Sequence, residues 1–166
     1  MFRPRVIPVL LLKDNGLVKT VKFKKPKYLG DPINAVRIFN ELHTDELVFL
    51  DIRATQQSRS ISVDLVRNIG DEAFMPFAVG GGIRSNDEIM KLLNAGSEKV
   101  VINSYASEDM NFIESASETF GASTIIVSID VRKNIFGQYI YLCISIVEEI
   151  ILTPIFDFNI WPYTEP

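Results

Sequence analysis

Short apolar runs alternate along this chain with longer stretches in which apolar residues recur every three or four positions. The first run, Val6–Leu12, is followed by "DPINAVRIFNELH", whose Ile33, Val36, Ile38 and Phe39 fall at helical spacing. Asp31 can cap that helix and Pro32 suits its first turn. "ELVFLDI" (46–52) precedes "SVDLVRNIGDEA", with apolar Val63, Leu65, Val66 and Ile69. "PFAVG" leads into "SNDEIMKLLNAG", where Ser85 can cap, Glu88 completes a capping box and Gly96 ends the helix. "EKVVIN" (98–103), "SEDMNFIESASETFG" (107–121) and "STIIVSIDV" (123–131) continue the alternation. Continuous apolar strands between amphipathic helices predict a parallel α/β sheet, with about four strand–helix units and a fifth strand.

The polar residues sit at the predicted carboxyl ends of those strands: Lys13 and Asp14, Asp51, Gly80–Gly82, Asn103 and Ser104, and Asp130. In parallel α/β folds that edge binds ligands. For any single residue a plainer account suffices, since a buried strand must end somewhere polar. A carboxylate or glycine cluster at nearly every strand end is harder to dismiss.

Composition narrows the class. With 166 residues, 47% hydrophobic and 23% charged, the chain is sized for roughly one domain of about 100–200 residues. Its net charge of −4 argues against a general nucleic-acid or membrane-surface role. One basic run, "KTVKFKKPKY" (19–28), stands apart and is expected on a loop. The lone Cys143 excludes an internal disulfide and suits a reducing cytoplasm. The N-terminal apolar run is too short to span a bilayer and lacks a signal-peptide cleavage site. His43 is expected at a helix end or on the surface, Cys143 as a buried inert thiol, and Trp161 as packing.

The glycine-rich "FAVGGGIRSNDEI" (77–89) fails the dinucleotide pattern. The sixth position of G-x-G-x-x-G is Ser85, and the next strand closes on Asn103 rather than an acid. A sugar-phosphate site fits better. Gly81 and Gly82 let a phosphate approach the backbone beside a helix start, and Asn103 and Ser104 can add donors from the next strand.

"RVIPVLLLKDNGLVK", "DELVFLDI", "PFAVGGGI", "KVVINS" and "VSIDV" together resemble the first half of the cyclase subunit of imidazole glycerol phosphate synthase, HisF. The resemblance covers about residues 3–136 and implies a TIM-type (βα)8 barrel of the ribulose-phosphate-binding kind. It implies a lyase in histidine biosynthesis. Ammonia from a glutaminase partner would react with a doubly phosphorylated aminoimidazole carboxamide ribonucleotide, giving imidazole glycerol phosphate. No metal or organic cofactor is implied. Matched position by position, Asp130 is the general acid/base. Gly82, Asn103 and Ser104 contact phosphate, and Lys19 belongs to a mobile loop that closes over substrate. Asp51 stands at the active-site rim, and Arg5, Glu46 and Lys99 ring the ammonia entrance.

Two departures qualify the match. The family's second catalytic carboxylate, on the first strand, is replaced here by Leu11, which can neither donate nor accept a proton. "LLLKD" resembles a paralogous branch that passes ammonia toward acetamidino sugars of surface glycans. In addition, a (βα)8 barrel takes about 250 residues, and from Asp130 onward the pattern frays. "NIFGQYIYL" fits a small hairpin after the fifth strand, and "EEIILTPIF" fits a sixth strand set too close behind it. The expectation is an incomplete barrel over residues 1–136, a divergent or frameshifted tail over 137–166, and unpaired edges at the first and last strands. A catalytically silent half-barrel is the third functional reading.

Overall fold

The computed structural model describes residues 5–21, 24–133 and 139–141. The chain divides into two compact units, Met1–Ser128 and Ile129–Pro166.

The first unit carries one mixed sheet, ordered β3-β2-β1-β4-β5-β6-β7. Its strands are β1 (Val9–Lys13), β2 (Gly16–Val21), β3 (Lys24–Gly30), β4 (Leu47–Asp51), β5 (Phe77–Gly80), β6 (Lys99–Ile102) and β7 (Ile125–Val127). From β1 through β4, β5 and β6 to β7 every pairing is parallel, as the alternation predicts. The connecting helices are α1 (Pro32–Glu41), α2 (Val63–Glu72), α3 (Asn86–Asn94), α4 (Ser104–Glu108) and α5 (Met110–Phe120).

Local chemistry sets the helix ends. The Asp31 carboxylate accepts from the Ile33 and Asn34 N–H groups, with Pro32 following. Ser62 and Ser85 accept from Leu65 and Glu88. The Glu88 carboxylate reaches back to the Arg84 N–H (2.8 Å), one residue outside the usual capping-box donor. The single helix expected over 107–121 is two. The Asp109 carboxylate accepts from Asn111 and Phe112, starting α5 afresh after one short turn of α4.

One face of the sheet meets the helices. Leu12, Leu17, Leu47, Phe49, Phe77, Val79, Val100 and Ile102 alternate along their strands and pack with Val36, Val66, Ile69, Ile89, Leu92, Phe112 and Ala116. Each fully buried aliphatic or aromatic side chain there contributes about 1.5–3 kcal/mol, and Phe49 meets Phe77 edge to face at 6.2 Å. The opposite face takes the other parity: Leu11, Val48, Leu50, Ala78, Gly80, Val101 and Ile126.

The basic run is not a loop. Residues 16–21 and 24–30 form the antiparallel pair β2–β3, and β2 also pairs with β1 through a two-residue turn at Asp14 and Asn15. Both turn residues have positive φ (50° and 62°), the geometry of the tight primed hairpin turn. β1 starts at Val9 rather than Val6, and it is no free edge, being flanked by β2 and β4. Among the described residues the edge on that side is β3, whose "KKPK" puts lysines and a proline in a strand where they discourage further pairing. At the other side of this sheet, β7 pairs with β6.

In the second unit, β8 (Val131–Lys133) and β9 (Tyr139–Tyr141) form an antiparallel ladder; of the expected hairpin segment "NIFGQYIYL" only Tyr139–Tyr141 is among the described residues, and its partner strand lies just before the segment. The sixth-strand segment, Cys143 and Trp161 lie outside the described residues.

Candidate functional site

The carboxyl ends of β4, β5 and β6 stand side by side, because Leu50 pairs with Gly80 and Gly80 with Val101. Asp51 and Gly81–Gly82 follow those pairs directly, and Asn103–Ser104 come one residue later, after Ile102. The structure thus brings together five of the residues singled out in the sequence.

Gly81 and Gly82 have φ of +127° and +67°, conformations that disfavour any residue with a Cβ. Crowding adds a second requirement. A Cβ at Gly81 would stand 2.7 Å from the Asp51 carbonyl oxygen, and one at Gly82 would collide with the Arg59 carbonyl. The glycines therefore admit the protein's own backbone from behind the turn. The Gly81 carbonyl accepts from the Ile61 N–H at 3.0 Å.

At Gly82 that backbone belongs to the loop after β4, which the sequence reading passed over. It contains a short 3₁₀ turn, Thr55–Gln57, and a left-handed Ser58. Asp51 anchors it. One carboxylate oxygen accepts the Arg53 N–H at 2.9 Å, and the other accepts Arg59 Nη1 at 2.6 Å. The Asp51 side chain is only 4% exposed, against 37% for Arg59. Arg59 was legible only as one more charged residue eight positions downstream; no local motif marks it as the partner.

At the end of β6, Asn103 Nδ2 donates to Ser128 Oγ at 3.3 Å, and the Ser104 carbonyl accepts from Ser107 Oγ. Lys19 lies on β2, exposed and opposite Lys27 of β3, on the sheet face shared by Leu17. The loop expected to carry it is a strand here. Leu11 lies on the other face, paired with Val18 and Leu50. Asp130 belongs to the second unit.

At the amino end of the strands, Lys99 Nζ meets Glu46 Oε1 at 2.7 Å, with Glu46 buried. Arg5 is exposed in the segment before β1. A groove of about 310 Å³ nearby is lined by Asn40, Glu41, His43, Thr44, Phe74 and Met75. His43 itself is exposed, just past α1, with its N–H donating to the Asn40 carbonyl. No helix among the described residues is long and apolar enough to cross a membrane.

Parallel strands joined by helices, with a glycine turn and polar side chains gathered at the strand ends, define the α/β barrel class. Within it, the chain belongs to the histidine biosynthesis protein family, whose model matches residues 5–149. A Pseudomonas aeruginosa protein provisionally named imidazole glycerol phosphate synthase subunit hisF2 is 50% identical over 139 residues, covering 84% of this chain and 55% of that protein. Imidazole glycerol phosphate synthase subunit HisF of Streptococcus mutans is 47% identical over 133 residues, 80% of this chain and 53% of its own. A provisionally named HisF of Leptospira borgpetersenii is 44% identical over 138 residues, 83% and 54%. The chain spans about half the length of the curated relatives it matches.

Proposed function

We propose that this chain forms the amino-terminal half-barrel of a HisF-type cyclase subunit, which uses glutaminase-derived ammonia on a phosphorylated ribonucleotide in histidine biosynthesis. The observation that carries the reading is the positive-φ Gly81–Gly82 turn after β5, next to the strand β6 that ends at Asn103 and Ser104, at the ligand-binding end of a family member's sheet. In this reading Gly81, Gly82, Asn103 and Ser104 grip one phosphate, and Lys19 reaches a bound ligand by movement of the β2–β3 hairpin. Asp130 is the acid/base, and Asp51 orders the rim. Arg5 and the Glu46–Lys99 pair stand at the ammonia entrance, on the side where a glutaminase subunit docks.

Leu11 favours a second reading, ammonia transfer toward an acetamidino sugar. Its half-buried side chain, between Val18 and Leu50, offers no proton where the cyclase needs an opposed carboxylate. One experiment separates the two. The chain is supplied with ammonium and the aminoimidazole carboxamide ribonucleotide, and imidazole glycerol phosphate is followed by mass spectrometry. Slow turnover is expected, rising by about 10²–10⁴ in Leu11→Asp. A Leu11→Asp variant that binds the ribonucleotide yet forms no product sinks the cyclase reading.

A further inference from the structure

The loop 53–61 reaches the glycine turn through the Arg59 carbonyl and the Ile61 N–H. The Arg59 guanidinium is fixed from several directions at once: Nη1 donates to Asp51 Oδ2 (2.6 Å) and to the Ser60 carbonyl (3.1 Å), and Nε donates to Gln57 Oε1 (2.8 Å). The Arg59 N–H donates to the Ala54 carbonyl (3.1 Å), and Ala54 is fully buried. A guanidinium and a backbone so restrained leave the Arg59 carbonyl little freedom. That carbonyl fills the volume a Cβ would take at Gly82, while the Ile61 N–H holds the Gly81 carbonyl.

We propose that Arg59 is a positioning residue for the anion cradle: clamped by buried Asp51, its backbone braces Gly82 in the left-handed conformation that aims the turn at a phosphate. The proposal rests on the phosphate reading above and adds a residue to it. Donors aimed in advance at an anion bind it without the cost of reorganising. Here the brace supplies that advance aiming from the neighbouring strand's loop. Loss of the guanidinium leaves Asp51 with the Arg53 N–H and frees the loop to draw back, whereupon Gly81 and Gly82 can relax. Lysine would restore the charge beside Asp51 but not the simultaneous bonds to Gln57 and Ser60, because an ammonium lacks the planar fork.

Inorganic phosphate is titrated into the ¹⁵N-labelled full chain, and the amide signals of Gly81, Gly82 and Asn103 are followed, with melting temperature measured alongside. Wild type should saturate. Arg59→Ala should bind phosphate about tenfold more weakly, the lower end of what losing an outer partner costs at a metal site, with Gly81 and Gly82 already shifted before phosphate is added. Arg59→Lys, which keeps the charge and the fold, should lie between the two. Arg37→Ala, in an ion pair on α1 remote from the turn, should bind as wild type. Unchanged affinity and unmoved glycine amides in Arg59→Ala, or in Arg59→Lys should the alanine variant fail to fold, overturn the role of Arg59 alone. A wild-type chain that shows no saturable shift overturns the phosphate reading and this one with it.

Discussion

Replacing Gly82 with alanine tests the geometry of the turn most directly. Two costs add at this position. A residue with a Cβ pays about 1–2 kcal/mol to hold φ near +67°. The added methyl must also displace the Arg59 carbonyl, which as backbone cannot rotate aside, and such overpacking costs about 1–3 kcal/mol. In urea unfolding at an unchanged m-value, Gly82→Ala should therefore lose about 2–5 kcal/mol, at least roughly a 30-fold fall in the folded-to-unfolded ratio. The melting temperature should drop by at least about 4 °C. A loss of about 1 kcal/mol or less would refute the claim that loop 53–61 presses on the turn.

Two further outcomes follow from ion pairs. Lys99→Met strands the buried Glu46 carboxylate and should cost about 3 kcal/mol; adding Glu46→Gln should recover most of it, and a urea midpoint that does not move in the single variant would show the pair to be inert. The hydrogen bond from Arg37, at 2.9 Å across α1 and α2, holds the Glu72 carboxyl below its ordinary value of 4.5. Because the folded-state value is the lower one, the pair's stabilisation is full above pH 4.5 and fades as acid titrates Glu72. The stability gap between wild type and Glu72→Gln should thus be open at pH 7 and close on acidification; a gap that persisted in strong acid would argue against the pair as its source.

The parallel part of the fold was readable because its signals are local. Apolar runs such as "LVFL" and "FAVG" cannot be solvated, and Asp31 and Ser85 each announce a helix start within three residues. The hairpin was missed because lysine density in "KTVKFKKPKY" suggested solvent, whereas its real signal was the turn "KDNG" just upstream, where Asp14 and Asn15 take positive φ. The break in the fourth helical stretch was likewise written at Asp109, an acid that competes for its own backbone. In the candidate site, the strand-end residues Asp51, Gly81, Gly82, Asn103 and Ser104 were legible from their places after apolar runs. Arg59 was not, since its partnership with Asp51 exists only after an irregular loop has folded back on the next strand.

The hairpin has a consequence for how the sheet can grow. A strand that joined β1 in parallel, as closure of a barrel requires, would need the side of β1 that β2 already occupies at Leu11–Lys13. Past β2 stands β3 with its lysines and proline, a poor template for any newcomer. At the far side, among the described residues, the ladder ends on Ile125–Val127, three apolar residues bearing no such deterrent. The sheet is therefore polar in its capacity for extension: new strands are admitted at β7, and the seam at β1 closes only if the hairpin first lets go.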